Sequence, residues 1–509
     1  MPDKLDILYP SGFYSYQAPI HLDYVAALGG LPPPVPRGSP FTYLDLGCGD
    51  GFTIILLASV YPESRFLGVD LNPGHVAAGT ALAAAGGVAN VRLIEGSFEA
   101  WRRLDLPRCH YIGMHGVYAW ISEAAREAVI DIVRERLEPG GLLYAGYNAY
   151  PGWAAVAPLR QFFLDYTRDM PGDPIESIRA TLRHLKELRQ KGAAFFQQNP
   201  TAAGVLEEMA GKDIRYVAHE IYSPHWSPLP FSAVAAQMAR AGLAFAGSAD
   251  LQHNYARPSV RAEFAAALLK ETDRLRAELH RDYANNTFFR RDVFVKGAAP
   301  RPSAKAVADR LADFAFGSRV PFPEMSRALP LPGGEAMALD SPLFSALQRA
   351  LASGAATIAA LRQRPELAAF PSEAIAQAIQ MLAIGNQIVP FAGPAAPVTE
   401  APRDWTIPLR LNRHLLAESV EDAALLLPMA PALGIPAPLL RDEALVLLAV
   451  AEAGREGAAD WAWDYAQRRG AWLRRKKERA AHDAAFSEIL TSLTPRLAKL
   501  AEIGVIAPR

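Results

Sequence analysis

Along the first 150 residues, short apolar runs alternate with longer segments that carry helical spacing. Thr42–Leu46 reads TYLDL, Arg65–Val69 RFLGV, Val91–Glu95 VRLIE, Cys109–Met114 CHYIGM and Leu142–Gly146 LLYAG. Runs of this length and apolarity suit strands covered on both faces. Between them, Phe52–Ser59 reads as a helix whose Ile54, Ile55, Leu56 and Leu57 bury most of its surface. A second helix is predicted over about Pro73–Ala85. Asn72 is placed to cap it, Pro73 suits its first position, and Gly86-Gly87 ends it. Glu123–Leu137 is a third, closed by Pro139-Gly140-Gly141. Strict alternation of strand and helix predicts an α/β fold, a Rossmann-like parallel sheet with helices on both faces.

The pattern changes from about Arg160. Ile178, Leu182, Leu185 and Leu188 recur at helical spacing and serve either a packed helix or a subunit contact. Residues 213–297 mix short strands and helices, including HEIYSPHWSPLPF at His219–Phe231 and RDYANNTFFRRDVFVK at Arg281–Lys296. Ala298–Ala304 is a loose boundary. The remainder reads as largely helical, with Ala352–Pro365 and Met381–Pro390 as parts of a winged-helix unit. Asp422–Leu440 reads as buried helix broken by Pro428, Pro431, Pro436 and Pro438. The expected division is 1–165 for the sheet, 166–212 for a helical insertion with a dimer contact, 213–300 for a middle unit and 301–509 for a helical C-terminal domain. A chain of 509 residues exceeds one ordinary core, given about 100–200 residues per domain.

Charge and cysteine narrow the classes. Lys and Arg number 52 against 53 Asp and Glu, a net charge of -1. That balance supplies no global field for nucleic acid or anionic lipid. One local basic run, Arg468, Arg469, Arg474, Arg475, Lys476, Lys477 and Arg479, lies near Trp463 and Trp472. It reads as a solvated helix face before it reads as a phosphate or acidic-protein contact. Cys48 and Cys109 form neither a disulfide framework nor a zinc spacing, and no metal site is expected. The first residues, MPDKLDILYP, lack a basic region followed by an apolar run. No apolar stretch reaches the roughly 18–20 residues that span a bilayer. A soluble cytoplasmic protein without membrane insertion is the expectation.

The chemistry concentrates at two places. Tyr43–Asp50 reads YLDLGCGD and Phe66–Asp70 reads FLGVD. Glycines at a strand-to-helix turn let a ligand approach the backbone, and an acid ending the next strand accepts from a ribose. Gly47–Phe52 reads GCGDGF, without the last glycine of a dinucleotide fingerprint, so S-adenosylmethionine is favoured over a dinucleotide. Asp45, Gly47, Cys48, Gly49 and Asp50 are expected around the amino-acid tail and the near side of the sugar, with Cys48 a small buried filler there rather than a reactive thiol. Asp70 takes the ribose hydroxyls, Leu71 and Asn72 flank the adenine, and Ser97 and Phe98 meet its edge and face. A methyl donor of this kind needs an aligned acceptor and a dry site rather than a metal. Tyr14, Tyr16 and His21, in an N-terminal aromatic group with Tyr9, Phe13 and Tyr24, form either a lid over the cofactor or a packing cluster. His115 has an ordinary pKa suited to proton transfer, or is a structural histidine. Tyr118 has a less suitable one. His219, His225 and Trp226 read as packing before substrate contact.

These residues resemble class I S-adenosylmethionine-dependent methyltransferases. MHGVYAW at Met114–Trp120, AGYNAYPGW at Ala145–Trp153, HEIYSPHWSPLPF and FFRRDVFVK add a narrower resemblance over about residues 9–300. It is to the bacterial family that carries a methyltransferase regulatory domain, which includes rickettsial outer-membrane-protein lysine methyltransferases. The resemblance implies S-adenosylmethionine as cofactor and S-adenosylhomocysteine as product. It places His115 beside the cofactor and makes His115, Tyr118, Tyr14 and Asn148 the catalytic candidates. Tyr16, Tyr118, Trp120, Tyr147 and Trp153 are the candidates for binding the acceptor. Protein lysine is the expected acceptor, with a small-molecule N- or O-methyl acceptor as the alternative and a non-catalytic cofactor-binding adaptor as the remote one. A homodimer is a further implication.

Overall fold

The computed structural model describes residues 10–509 except 105, 224, 396–397, 399 and 420–424. Tyr9 and Asp422 therefore lie outside the described residues. In chain order the first part runs α1 (Pro19–Leu28), β1 (Thr42–Leu46), α2 (Phe52–Val60), β2 (Arg65–Asp70), α3 (Pro73–Gly86), β3 (Val91–Glu95), α4 (Phe98–Trp101), β4 (Cys109–His115), α5 (Glu123–Arg136) and β5 (Leu137–Asn148). Asn72 caps α3 as the sequence predicts, its Oδ1 accepting from the Gly74 and His75 amides at 2.8 and 3.4 Å. The fifth strand is longer than expected. Pro139-Gly140-Gly141 lies inside it, because Leu137 already pairs with Cys109 and an irregularity between Cys109 and Tyr111 absorbs the extra residues.

The sheet has seven strands in the order β3-β2-β1-β4-β5-β7-β6. The first five are parallel, and β6 (Leu243–Ser248) and β7 (Phe289–Lys296) close the edge antiparallel. The stretch expected as a separate middle unit thus extends the same sheet. FRRDVFVK supplies the reason: it alternates, so one side of β7 carries Phe289, Arg291, Val293 and Val295 and the other Arg290, Asp292 and Phe294.

Between β5 and β6 come α6 (Ala157–Tyr166), α7 (Pro174–Gln190), α8 (Ala194–Gln198), α9 (Pro200–Gly211), α10 (Ile214–Tyr222) and α11 (Phe231–Arg240). Two more helices, α12 (Ala262–Lys270) and α13 (Arg274–Asn285), separate β6 from β7. Ile178, Leu182 and Leu185 are buried in a small core with Phe163, Phe196, Leu206 and Val217. Leu188 is partly buried against the same cluster, so the stripe packs within the chain.

Beyond residue 300 helices dominate. The winged-helix stretches form helices and short strands, with Ala315–Gly317 between Ala356–Thr357 and Val389–Pro390 in one three-stranded sheet. Described residues 425–440 hold four two-residue strands rather than broken helix; the prolines there leave too few amide donors for helical turns. This region docks on α3: Arg410 Nε donates to the Ala85 carbonyl at 3.0 Å. In the basic run, Arg469 pairs with Glu418 at 2.8 Å and Arg479 with Asp483 at 2.7 Å, while Arg474 meets Glu488. Those exposed pairs match a solvated face.

Candidate active site

Strand parity decides what reaches the site. Side chains two apart share a face. On the face packed against α1 stand Tyr43 and Asp45 of β1, Tyr111, Gly113 and His115 of β4, Tyr144 and Asn148 of β5, and Phe289 and Arg291 of β7. Register places Asp45 beside Gly113, Gly113 beside Tyr144, Gly146 beside Arg291 and Asn148 beside Phe289. The parallel strands therefore deliver Asp45, His115 and Asn148 to one carboxyl edge.

At that edge the turn after β1 is braced by Asp70. Its Oδ2 accepts from the Gly49 amide at 2.8 Å, and its Oδ1 from the Asn72 amide at 2.9 Å and from His75 Nδ1 at 3.3 Å. A carboxylate offers about four lone-pair sites, so acceptor capacity remains at a side chain that is 16% exposed. Gly47, Gly49 and Gly51 all have positive φ, and a Cβ at Gly49 would point into open space. Asp50, one residue before the Gly51 N-cap of α2, accepts from the Phe52 amide at 3.1 Å and from Ser11. Asp45 is buried, 3% exposed, and its carboxylate has no hydrogen-bond partner among the described residues. Burial, then the Asp70 charge, raises its pKa to about 7. Leu71 leaves 56% of its surface exposed immediately after Asp70. Ser97 caps α4, accepting from the Ala100 amide at 3.3 Å, beside a half-buried Phe98. Burial pushes the Cys48 thiol well up, in keeping with a filler.

The geometry accommodates S-adenosylmethionine. A buried acid lacking a donor suits an ammonium, the open side of Gly49 admits close approach, and Asp70 with the exposed Leu71 forms a polar edge and an apolar shelf suited to a nucleoside.

Next to this lies an aromatic layer. His115 packs against Tyr14 with ring centroids 3.8 Å apart and the planes tilted by 31°, and its Nδ1 is 2.7 Å from the Tyr144 hydroxyl. Phe289 lies 5.4 Å away. Burial, then Arg291, lowers the His115 pKa to about 3. The ordinary imidazole value expected from sequence does not hold, and His115 is neutral at physiological pH. Asn148 is 5% exposed and its Nδ2 has no hydrogen-bond partner among the described residues. Beyond them, Trp120, Trp153 and Trp226 gather, with Trp226 5.5 Å from Trp153 and 6.4 Å from Trp120. Arg160 covers the Trp226 ring at 5.0 Å.

Two expected residues face the other way. Tyr118 is fully buried under α5 and α11, its hydroxyl donating to Gln237 Oε1 at 2.8 Å. Tyr147 is also fully buried and donates to Asp292 Oδ2 at 2.6 Å. Parity explains Tyr147: Tyr144 and Asn148 share the site face, and 147 falls between them. Both tyrosines are packing residues rather than parts of the acceptor pocket. Residues absent from the sequence reading are Tyr144, Phe289, Arg291 and Asp250. Tyr216 and Glu220 of α10 join them, hydrogen-bonded to each other near Tyr14 and Arg160.

Residues 44–141 match the family described as a methyltransferase domain, and residues 213–296 the predicted methyltransferase regulatory domain. An uncharacterized protein of Synechocystis, sll1526, is 30% identical over 447 residues, covering 87% of each chain. The chain belongs to the methyltransferase family that carries this regulatory domain. It is an S-adenosylmethionine-dependent methyltransferase, with S-adenosylhomocysteine as product. The protein RP789 of Rickettsia prowazekii is 27% identical over 218 residues, 42% of this chain and 38% of that one. The fold is shared with PKMT2 of Rickettsia typhi in complex with AdoHcy, at a TM-score of 0.71, 18% identity and coverage of 98% and 99%. The candidate site lies at the carboxyl edge of the sheet, and the stretch matching the regulatory domain places Asp250, Phe289 and Arg291 at its border.

Proposed function

We propose that this methyltransferase transfers methyl groups to amines, with lysine side chains of proteins as the acceptor. The observation that carries this reading is the neutral, buried His115 with a pKa near 3. An alcohol must lose its proton as it attacks, which calls for a base matched to neutral pH. An amine sheds its proton to solvent beforehand and then needs alignment and a dry path. The bound cofactor supplies an electrophilic methyl. Asp45 and Asp70 hold its two ends, Leu71 and Phe98 border the adenine, and Asn148 offers its unpartnered Nδ2 beside the reacting region. Tyr14 and His115 exclude water.

The half-buried tryptophans 120, 153 and 226 support a long cationic acceptor. Indole faces hold an alkyl stem by apolar contact and attract the arriving ammonium by about 0.5–2 kcal/mol, before it sheds its proton and attacks. Glu220 lies near Arg160, the cation that already covers the Trp226 ring. The resemblance to rickettsial lysine methyltransferases points the same way. Incubating the purified chain with labelled methyl donor and cell fractions, then locating the label by mass spectrometry, tests the reading. Label on lysine is expected. Label confined to a low-mass compound would overturn the protein acceptor, and label on oxygen would overturn the amine.

A further inference from the structure

The N-terminal segment crosses the site as a strap, and it is fastened at both ends. On the methyltransferase side, Thr53 Oγ accepts from the Tyr14 amide and donates to the Gly12 carbonyl, each at 3.1 Å, while Ser11 reaches Asp50. On the other side, His21 Nε2 lies 2.8 Å from the Ala249 carbonyl. Burial, then the Asp250 charge, raises the Tyr16 pKa, and Asp250 accepts from Arg291 Nη1 at 3.0 and 3.2 Å. The same guanidinium covers the Tyr16 ring at 4.6 Å and the Phe289 ring at 5.0 Å. Between the two fastenings, Tyr14 roofs His115.

We propose that Asp250 and Arg291 form a clasp through which the regulatory domain holds the N-terminal strap closed over the methyl-transfer site. Both are positioning residues; neither needs to touch the cofactor or the acceptor. The argument is one of energetics and location. The pair is largely enclosed, with side chains 11% and 28% exposed, so its charges are screened far less than a surface pair. The strap itself is a single 3-10 turn over Ser15–Gln17, with no side-chain cap and Gln17 as its buried residue. So short an element has little stability of its own and follows whatever holds it. Anything that moves β7 relative to the Asp250 turn would release Tyr16, and with it Tyr14 from His115. The strap's role at the site rests on the reading of that site given above; the clasp is testable without an acceptor.

The test is hydrogen–deuterium exchange on the full chain, comparing wild type with Arg291→Met, Asp250→Asn and Arg291→Lys. The amides of Gln17 and Ala18, bonded to Tyr14 and Ser15 at 3.0 and 3.1 Å, report the strap. Those of β1 and β4 report the sheet. Arg291→Met and Asp250→Asn are expected to speed strap exchange by about tenfold or more with sheet exchange unchanged. Arg291→Lys, which keeps the charge but not the planar stack, is expected to fall between. Strap exchange within twofold of wild type in Arg291→Met, or equal acceleration in strap and sheet, would overturn the clasp. Because no methyl acceptor enters this measurement, a failed lysine assay leaves its outcome intact, and the converse holds too.

Discussion

Replacing Asp70 by Ala removes one carboxylate that does two jobs. It holds the glycine turn through the Gly49 amide at 2.8 Å and the start of α3 through the Asn72 amide at 2.9 Å. Its remaining lone pairs face the position expected for the ribose. Charge-assisted hydrogen bonds contribute about 1.5–3 kcal/mol when intact. At 16% exposure, water recovers part of that loss, so about 1–3 kcal/mol of cofactor binding is at stake. The dissociation constant for S-adenosylhomocysteine should rise roughly 5- to 150-fold. Calorimetric titration of the variant measures it, after thermal unfolding confirms that the chain still folds. A ribose-deoxygenated analogue separates the two jobs. Wild type should lose affinity for the analogue, whereas the Ala variant, already lacking the acceptor, should bind both ligands alike. A folded Asp70→Ala chain with affinity within twofold of wild type would refute the assignment. Fully additive losses would refute the ribose contact and leave only the brace.

Three other outcomes follow from the same site. Asp45 has a folded pKa of about 7, above the ordinary carboxyl value because of burial and Asp70. Its contribution to stability is complete below about pH 4 and is lost as pH rises through 7. Asp45→Asn should therefore flatten the unbound enzyme's stability between pH 4 and 7, measured by urea unfolding; an unchanged slope would contradict the burial argument. His115 should remain unprotonated down to about pH 5 in an NMR titration, and a midpoint near 6.5 would restore it as a candidate base. Tyr118→Phe should leave methyl transfer unchanged while costing about 1–2 kcal/mol of stability, since Gln237 loses its donor. A fall in turnover without a fall in stability would return Tyr118 to the chemistry.

The parts legible in the sequence are those whose partners lie close along the chain. YLDLGCGD and FLGVD are separated by one helix, and their side chains meet through local geometry alone. Asn72 and Pro73 announce the α3 start for the same reason. The aromatic segments after β4 and β5 were harder, because a tyrosine's chemistry does not reveal its face. Counting in twos along β5 from Leu142 puts Tyr144 and Asn148 toward the site and Tyr147 toward Asp292. Tyr118 was lost to the core because α11, well over a hundred residues later, supplies Gln237. Arg291 gave a strand signal in FRRDVFVK but no sign of its neighbour. Only antiparallel pairing of β7 with β5 brings it beside Gly146.

That pairing also shapes the chemistry of the pocket. Were the sheet to end at β5, its carboxyl edge would open to solvent beside Tyr144, and His115 would sit near a free margin. The added strand instead sets a cation, Arg291, and an aromatic ring, Phe289, against that margin. Both disfavour a second positive charge on His115, one by repulsion and the other by desolvation. On the reading proposed above, the same two side chains make the site poor at abstracting a proton and good at excluding water. An acceptor that arrives already deprotonated gains from that trade, and one that must be deprotonated in place does not.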